Sequence, residues 1–398
     1  MNVLFAADDM YPGFGGIAAS THGHALGLLA RGHRIVALAG PEPQPQRPPD
    51  GVELVRLPAV RLGVLQTQLV VAGVQRVQRA LRWADVVHVN APTPFGVAVV
   101  AMARARGVPT VMGVHVQTET TTHQLPAGTA VLGRALLGRA MRTWFAVAFA
   151  RADARVAPTA FAARMAAAWT GKPVHVVTNG LTPGPPPAPR DEARAQLPSA
   201  WRGDVGGELL VYLGRLSAEK RPGDLLDLVH ELPPSSRLIV AGKGPLASEL
   251  ARRIGDEGLS DRVVLAGFVP DETVPTLLAA ADLALMPSPA ELQSIASLQA
   301  MAAGCPVAAA DHASSAVPDW VPESGGGLVY PHDDPAEAGR RITAALRDPE
   351  RMASMREAAM RYAAGHTLAD AARELERIYE ALLRGQTPSG ALPPPERR

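Results

Sequence analysis

A chain of 398 residues is too long for one hydrophobic core and predicts two domains of ordinary size. Its composition, 47% hydrophobic and 19% charged, is that of a globular protein, and a net charge of +1 gives no reason to expect nucleic acid as a partner. The single cysteine, Cys305, excludes an internal disulfide and a cysteine-rich metal site. There is no run of about 18 apolar residues to make a membrane-spanning helix. The opening MNVLFAADD does not read as a signal peptide, so a cytoplasmic location is expected, with attachment at the inner membrane face left open.

Residues 2–7 read as a buried strand, followed by the loop DDMYPGFGG, a helix over 18–31 and a strand over 34–39. Strand, glycine loop, helix and strand open a doubly wound α/β domain. Gly15 and Gly16 would let backbone approach a ligand at the helix mouth. Asp9 reads either as a contact for an acceptor hydroxyl or as a solvated loop acid. After a Pro-rich loop at 41–49, residues 51–57 and 84–90 are strand-like, with His88 a packed strand residue. A further strand at 108–116 carries His115 near its carboxyl end, with Gln117 and Glu119 next in line for an acceptor. Residues 131–151 form one long helix in which Arg134, Arg139, Arg142 and Arg151 fall among Leu136, Leu137, Trp144 and Phe145. Such a helix either packs on the sheet with a basic rim or lies in a membrane interface. Strands at 155–157 and 174–177 flank a helix at 159–168, and Asn179-Gly180 reads as a structural turn. PGPPPAP, at 183–189, begins a Pro-rich linker over 183–205.

The second domain, 206–365, begins with a strand at 209–213. Arg215 and Lys220 follow on one loop, where two cations can neutralise a diphosphate. A strand at 237–241 leads into Gly242-Lys243-Gly244-Pro245, and a strand at 263–266 into Gly267-Phe268-Val269. Residues 281–286 make a short apolar strand that Pro287 and Pro289 terminate. Glu291 stands on the loop, a helix runs from about 294 to 303 with Gly304 as its C-cap, and Val307 is in the next strand. A loop between a strand's carboxyl end and a helix is where open α/β sheets bind ligands, and a helix start suits phosphate. Glu291 before the helix and Gln299 eight residues later could grip two hydroxyl-bearing parts of one ligand, as a nucleotide-sugar has on either side of its diphosphate. Helices at 335–347, 350–364 and 367–384 follow, the last expected to rejoin the first domain, 1–182, and the tail 386–398 reads as disordered.

The stretch 287–307 resembles the E-x7-E signature of retaining glycosyltransferase family 4 (glycosyl transferases group 1), through Pro287, Ser288, Glu291, Leu298, Ala300, Met301, Ala302, Gly304, Pro306 and Val307. Gly214-Arg-Leu-Ser-Ala-Glu-Lys is similar to that family's diphosphate loop, Gly242-Lys-Gly-Pro to its G-x-G-P turn, and Thr178-Asn-Gly-Leu-Thr to its P-N-G-V-D element. Two departures stand out: Gln299 replaces the second glutamate, and Leu292-Gln293-Ser294 replaces Gly-Phe-Gly. The resemblance implies a GT-B fold, two Rossmann-like doubly wound domains facing across a cleft. The N-terminal domain would take the acceptor and the C-terminal domain the nucleotide-sugar. It further implies that Arg215, Lys220, Ser294 and Ile295 hold the diphosphate. Glu291 and His115 would meet the sugar, Gln299 the ribose, Gly242, Lys243 and Phe268 the base side, and Gly15 and Gly16 the phosphates. A glutamine keeps one acceptor but loses the charge, so weaker donor binding is expected.

The function so implied is hexose transfer from UDP-glucose, UDP-galactose or GDP-mannose to an acceptor hydroxyl, with no Asp-x-Asp element and so no metal required. HVNAPTPFG, GVHVQTE and the basic helix are similar to relatives that use membrane glycerolipids or lipid-linked glycans. A soluble or polysaccharide acceptor, a nucleotide-sugar epimerase of the same fold and a non-catalytic binding protein are the alternatives.

Overall fold

The structure is a computed structural model, and it describes residues 1–10, 16–41, 50–62, 67–122, 131–202 and 207–395. The chain divides into two compact units, Met1–Thr182 with His366–Arg398, and Pro183–Gly365. The first unit contains β1 (Asn2–Ala6), α1 (Gly16–Ala30), β2 (Arg34–Ala39), β3 (Val52–Arg56), β4 (Ala59–Leu62), β5 (Thr67–Val70), α2 (Val74–Trp83) and β6 (Val86–Val89). It continues through α3 (Pro94–Arg104), β7 (Thr110–Gly113), α4 (Thr118–Thr122), α5 (Val131–Ala150), β8 (Ala154–Ala157), α6 (Ala160–Thr170) and β9 (His175–Val176). The second holds α7 (Arg190–Gln196), α8 (Ser199–Arg202), β10 (Leu209–Leu213), α9 (Asp224–His230), β11 (Arg237–Ala241), α10 (Ala247–Asp256), β12 (Val263–Gly267) and α11 (Val274–Ala280). Then come β13 (Leu283–Met286), α12 (Ile295–Ala302), β14 (Val307–Ala310), α13 (Val317–Ser324), β15 (Gly327–Tyr330), α14 (Pro335–Leu346) and α15 (Pro349–Ala364). The last helix, α16 (Leu368–Leu383), returns to the first unit.

Each unit is built on one parallel sheet, ordered β3-β2-β1-β6-β7-β8-β9 in the first and β12-β11-β10-β13-β14-β15 in the second. Val3 pairs with Ile35 on one side and Val86 on the other, and Leu210 with Leu238 and Leu283. Strand order therefore reverses beside β1 and beside β10, and those reversals open crevices at the strands' carboxyl ends. The central strands are continuous apolar runs because helices cover both faces. Phe5, Leu28 and Tyr379 are fully buried in one core, and Tyr212, Leu225, Leu238 and Ile342 in the other.

Glycines let α16 lie against α1. A Cβ on Gly23 would stand 2.8 Å from Leu368 Cδ2, and one on Gly27 would stand 2.7 Å from the Leu368 carbonyl oxygen. Gly180, at φ 72°, meets Leu368 from the other side, so the Asn179-Gly180 turn is structural.

Some expectations need correction. The span 183–205 is not simply a connector, because α7 is docked by Arg190 Nη1 to Asp282 Oδ1 at 2.5 Å, with Ala193 buried. The tail is packed against the first unit over its described residues rather than disordered. Leu392 exchanges backbone hydrogen bonds with Val174 at 2.8 and 3.0 Å, and Arg377 donates to the Ser389 carbonyl. Helices α11 and α13 escape a reading that treats proline as a breaker. Each carries proline in its first turn, where the missing N–H costs nothing, and α13 also holds Pro322 within it.

Candidate active site

In the second unit the loops leaving β10 and β13 bring Lys220 and Glu291 together. Lys220 Nζ lies 2.5 Å from Glu291 Oε1, with side-chain exposures of 25% and 13%. At that depth the pair is weakly screened yet open to an incoming ligand. Glu291 is held through its main chain, since its carbonyl accepts from Ala316 N at 2.7 Å. Arg215 lies 3.9 Å from Glu219 Oε1, and Glu219 also accepts from Ser217 Oγ at 2.6 Å. Glu219 therefore orients Arg215 rather than Lys220, because the 3-10 turn at Ala218–Lys220 directs neighbouring side chains apart. The buried Tyr212 hydroxyl donates to the Arg215 carbonyl at 2.9 Å and fixes the same loop. Burial first, and then the nearby Glu291 and Glu219 carboxylates, push its pKa up.

Glycines close the floor of this site. Gly242, at φ 155°, donates to Gly267 O at 2.7 Å, and a Cβ there would sit 1.8 Å from Gly214 O. A Cβ on Gly244 would sit 2.2 Å from Leu216 O. The three loops leaving β10, β11 and β12 thus run in backbone contact, which only glycine allows. Lys243 Nζ stands 5.2 Å over the ring of Phe268, and Phe268 is 62% exposed, so it does not cap the core. The exposed ring and its cation form a stacking platform at the strand ends.

Helix α12 begins at Ile295 under an unusual cap. Ser294 takes φ 69°, a left-handed conformation shared by only one other non-glycine residue among those described, Arg221. Its hydroxyl accepts from Ser297 N at 3.2 Å and from Ser297 Oγ at 2.9 Å. The hydroxyl cap offsets part of the strain of that backbone. Gln299, half-buried, is the fifth residue of this helix.

The remaining sequence-derived candidates lie in the first unit. Gly16 is the first residue of α1 with open space at its Cα, and Gly15 lies outside the described residues. His115 is partly exposed beyond β7, its Nε2 enclosed without a partner. Its ring is 6.2 Å from that of His24, which is 6.1 Å from that of His88. His88 Nδ1 is 2.5 Å from Tyr379 Oη, and His24 Nε2 donates to Thr178 O at 3.0 Å. Burial and then the neighbouring His24 bring His115 down to about 3, and burial leads the lowering of His24 and His88. The three imidazoles are neutral at physiological pH. Asn90 Nδ2 bonds Thr21 Oγ1, while Asn90 Oδ1 and both amide atoms of buried Gln117 lack partners. Asp8, pushed up to about 6 by burial, accepts from Thr93 Oγ1 at 2.6 Å and Val70 N at 2.7 Å. Sequence reasoning missed His24, Asn90 and Asp8, because isolated polar residues carry no signal until strand order brings them to one sheet edge. Among the described residues no group of three or more His, Cys, Asp or Glu is arranged to hold a metal.

Two family models match, Glycosyltransferase Family 4 over residues 14–184 and Glycosyl transferases group 1 over 194–362. The chain is 28% identical over 320 residues to 2-deoxystreptamine glucosyltransferase of Streptomyces kanamyceticus, covering 75% of this chain and 80% of that protein. It is 29% identical over 304 residues to D-inositol 3-phosphate glycosyltransferase 1 of Catenulispora acidiphila, covering 71% and 69%. Among solved structures, Anabaena HepE in complex with UDP aligns with a TM-score of 0.71 at 19% identity, over 96% of this chain and all of that one. Sucrose-phosphate synthase from Thermosynechococcus elongatus aligns at 0.74 and 17% identity, over 97% of this chain and all of that one. With two doubly wound units and these matches, the chain belongs to the family 4 glycosyltransferases of GT-B fold. It is a hexosyltransferase that uses a nucleotide-sugar.

Proposed function

We propose that this enzyme transfers a hexose with retention of anomeric configuration from a UDP- or GDP-sugar to a hydroxyl of a membrane glycerolipid or lipid-linked glycan, without a metal. The observation that carries the donor half is the Lys220–Glu291 pair at 2.5 Å, which joins the loop carrying Arg215 to the loop that ends at the Ser294-capped start of α12. Arg215 and Lys220 neutralise the diphosphate as its bond to the sugar breaks, and the N–H groups at Ser294 and Ile295 add donors. Glu291 meets the sugar hydroxyls and Gln299 the ribose. The Lys243–Phe268 platform stacks the base, and Gly242 keeps backbone close to it. The leaving phosphate oxygen takes the acceptor proton as the new glycosidic bond forms on the face it departs. The chain's contribution is positioning and charge stabilisation.

The lipid reading is supported by α5, where Leu136, Leu137, Trp144 and Val147 are exposed among exposed Arg139 and Arg142. A second reading, a soluble polyhydroxylated ring as acceptor, is favoured by the names of the Streptomyces and Catenulispora relatives and by the uncharged His24–His88–His115–Asn90 cluster.

The test is a panel of UDP-glucose, UDP-galactose and GDP-mannose, offered with diacylglycerol or phosphatidylinositol vesicles in one arm and free inositol in the other. Product configuration is read by NMR. An α-linked product on lipid from an α-linked donor supports the proposal. A β-linked product overturns retention, and transfer to inositol alone overturns the lipid acceptor.

A further inference from the structure

The near-zero net charge conceals a division. Residues 1–182 carry seventeen lysines and arginines against eight aspartates and glutamates, a net of +9, while residues 183–398 carry 22 against 30, a net of −8. Within the basic part, residues 54–84 hold five arginines and no acid. The described residues of that stretch form the end of β3, the antiparallel β4–β5 pair and α2.

The hairpin lies outside the seven-stranded sheet and is turned in an unexpected sense. Ala59 pairs with Val70 and Val60 with Leu69, so Val60, Leu69 and Val71 share one face, and Gln68 and Val70 share the other. The face carrying Gln68 and Val70 is the buried one: Gln68 Nε2 donates to Asp8 O at 3.0 Å and Val70 N to Asp8 Oδ1 at 2.7 Å. The apolar face looks outward, with Val60 53% and Val71 62% exposed. Val74, 58% exposed, continues it into α2. In α2, Val77, Ala80 and Leu81 are buried, and Arg76, Arg79 and Arg82, spaced three apart, are exposed along one stripe.

Gln68 buried beside Val70 while Val60 and Val71 stand exposed is the reverse of what water selects for a surface hairpin. An apolar strip that runs on into a helix with exposed arginines, with no acid over 54–84, matches an interface that is apolar below and anionic above. We propose that the outer face of β4–β5 with the arginine stripe of α2 docks on an anionic phospholipid bilayer, the valines entering the acyl boundary and the arginines pairing with headgroup phosphates. This deepens the lipid-acceptor reading by naming the surface that would bring the enzyme to its acceptor. Vesicle binding is nevertheless measured without turnover, so either can fail alone.

The experiment is sedimentation of the full chain with vesicles of phosphatidylcholine alone and of phosphatidylcholine with about one-third phosphatidylglycerol, at low and high salt. The triple variant Arg76→Gln, Arg79→Gln, Arg82→Gln and the single variant Val71→Asp are run alongside, with circular dichroism and nucleoside diphosphate affinity confirming that each is folded. The wild type is expected to bind only the anionic vesicles and to be released by salt. Neutralising three arginines is expected to lower partitioning about a hundredfold, and Val71→Asp to weaken it also. Failure of the wild type to bind, or binding that both variants retain, overturns the proposal. So does a concentration-dependent dimer abolished by Val71→Asp in a chain that ignores vesicles, which would assign the face to a second copy.

Discussion

Replacing Lys220 by methionine removes the cation that faces Glu291 and that, in the proposed site, neutralises the donor diphosphate. The ammonium is 2.5 Å from Glu291 Oε1 and three-quarters buried. A hydrogen bond to a charged group contributes about 1.5–3 kcal/mol, so Lys220→Met is expected to weaken nucleoside diphosphate binding about 10- to 150-fold. Glu291→Gln acts differently. It removes an anion from beside the diphosphate and frees Lys220, so affinity is unchanged or tighter while transfer falls. In the Glu291→Gln background the lysine has no carboxylate to neutralise, so the effect of its loss on binding differs from that in the wild type. The coupling is expected at about 1–2 kcal/mol, within the range for groups in direct contact. Isothermal titration of the wild type, both single variants and the double variant with UDP and GDP measures all four corners. Additivity within about 0.5 kcal/mol, or unaltered binding by Lys220→Met, would refute the placement of this pair at the diphosphate.

Ser294 offers a test of the strained helix start. Glycine relieves the φ of 69° and gives up only a few tenths of a kcal/mol of capping, whereas alanine keeps the strain and loses about 1 kcal/mol. Thermal melts should rank Ser294→Gly at or above wild type and Ser294→Ala below it; the reverse order contradicts the capping account. Gln299→Glu restores a charged acceptor and should tighten nucleotide binding about five- to tenfold, with no change if Gln299 does not meet the ribose. Stability should fall as pH drops from 6.5 toward 4. His24, His88 and His115 are depressed in the folded state, so the unfolded chain binds more protons in that window. Asp8, raised to about 6, and Asp224, also raised by burial, act in the opposite sense, but are outnumbered because burial also lowers His22, His33 and His175. A melting temperature that rises on acidification over this range would show that the imidazoles are not buried neutral.

The two doubly wound units and the strand–loop–helix element around Glu291 were legible because their signals are local. Pro287 and Pro289 end a strand, Gly304 ends a helix, and Glu291 stands between, all within one short stretch. The Lys220–Glu291 contact was only half legible. Both residues were marked as donor contacts, but they are 71 positions apart, and their pairing depends on β10 lying next to β13. That Glu219 lies beside Arg215 was not legible, because spacing along the chain says nothing about the direction a 3-10 turn gives each side chain. Helix α7 was hidden by the prolines before it, and its anchor, Asp282, lies 92 residues from Arg190. The β4–β5 hairpin was illegible for a different reason. The alternation is present, but with Gln68 inside and Val60 outside it points the wrong way until Asp8 is seen to hold it. The net charge of +1 likewise averaged over a basic half and an acidic one.

The central claim is that the second unit binds a nucleotide-sugar through the Arg215–Lys220 loop and the Glu291–Ser294 helix start and releases the nucleoside diphosphate on transfer. Its most direct test is nucleoside diphosphate release from UDP- and GDP-hexoses by the purified chain in the presence of acceptor vesicles, compared with Glu291→Gln. The account predicts release from one donor, dependent on acceptor, and lost in Glu291→Gln although that variant still binds the diphosphate. Equal turnover by Glu291→Gln, or no binding of any nucleoside diphosphate by the wild type, would contradict it.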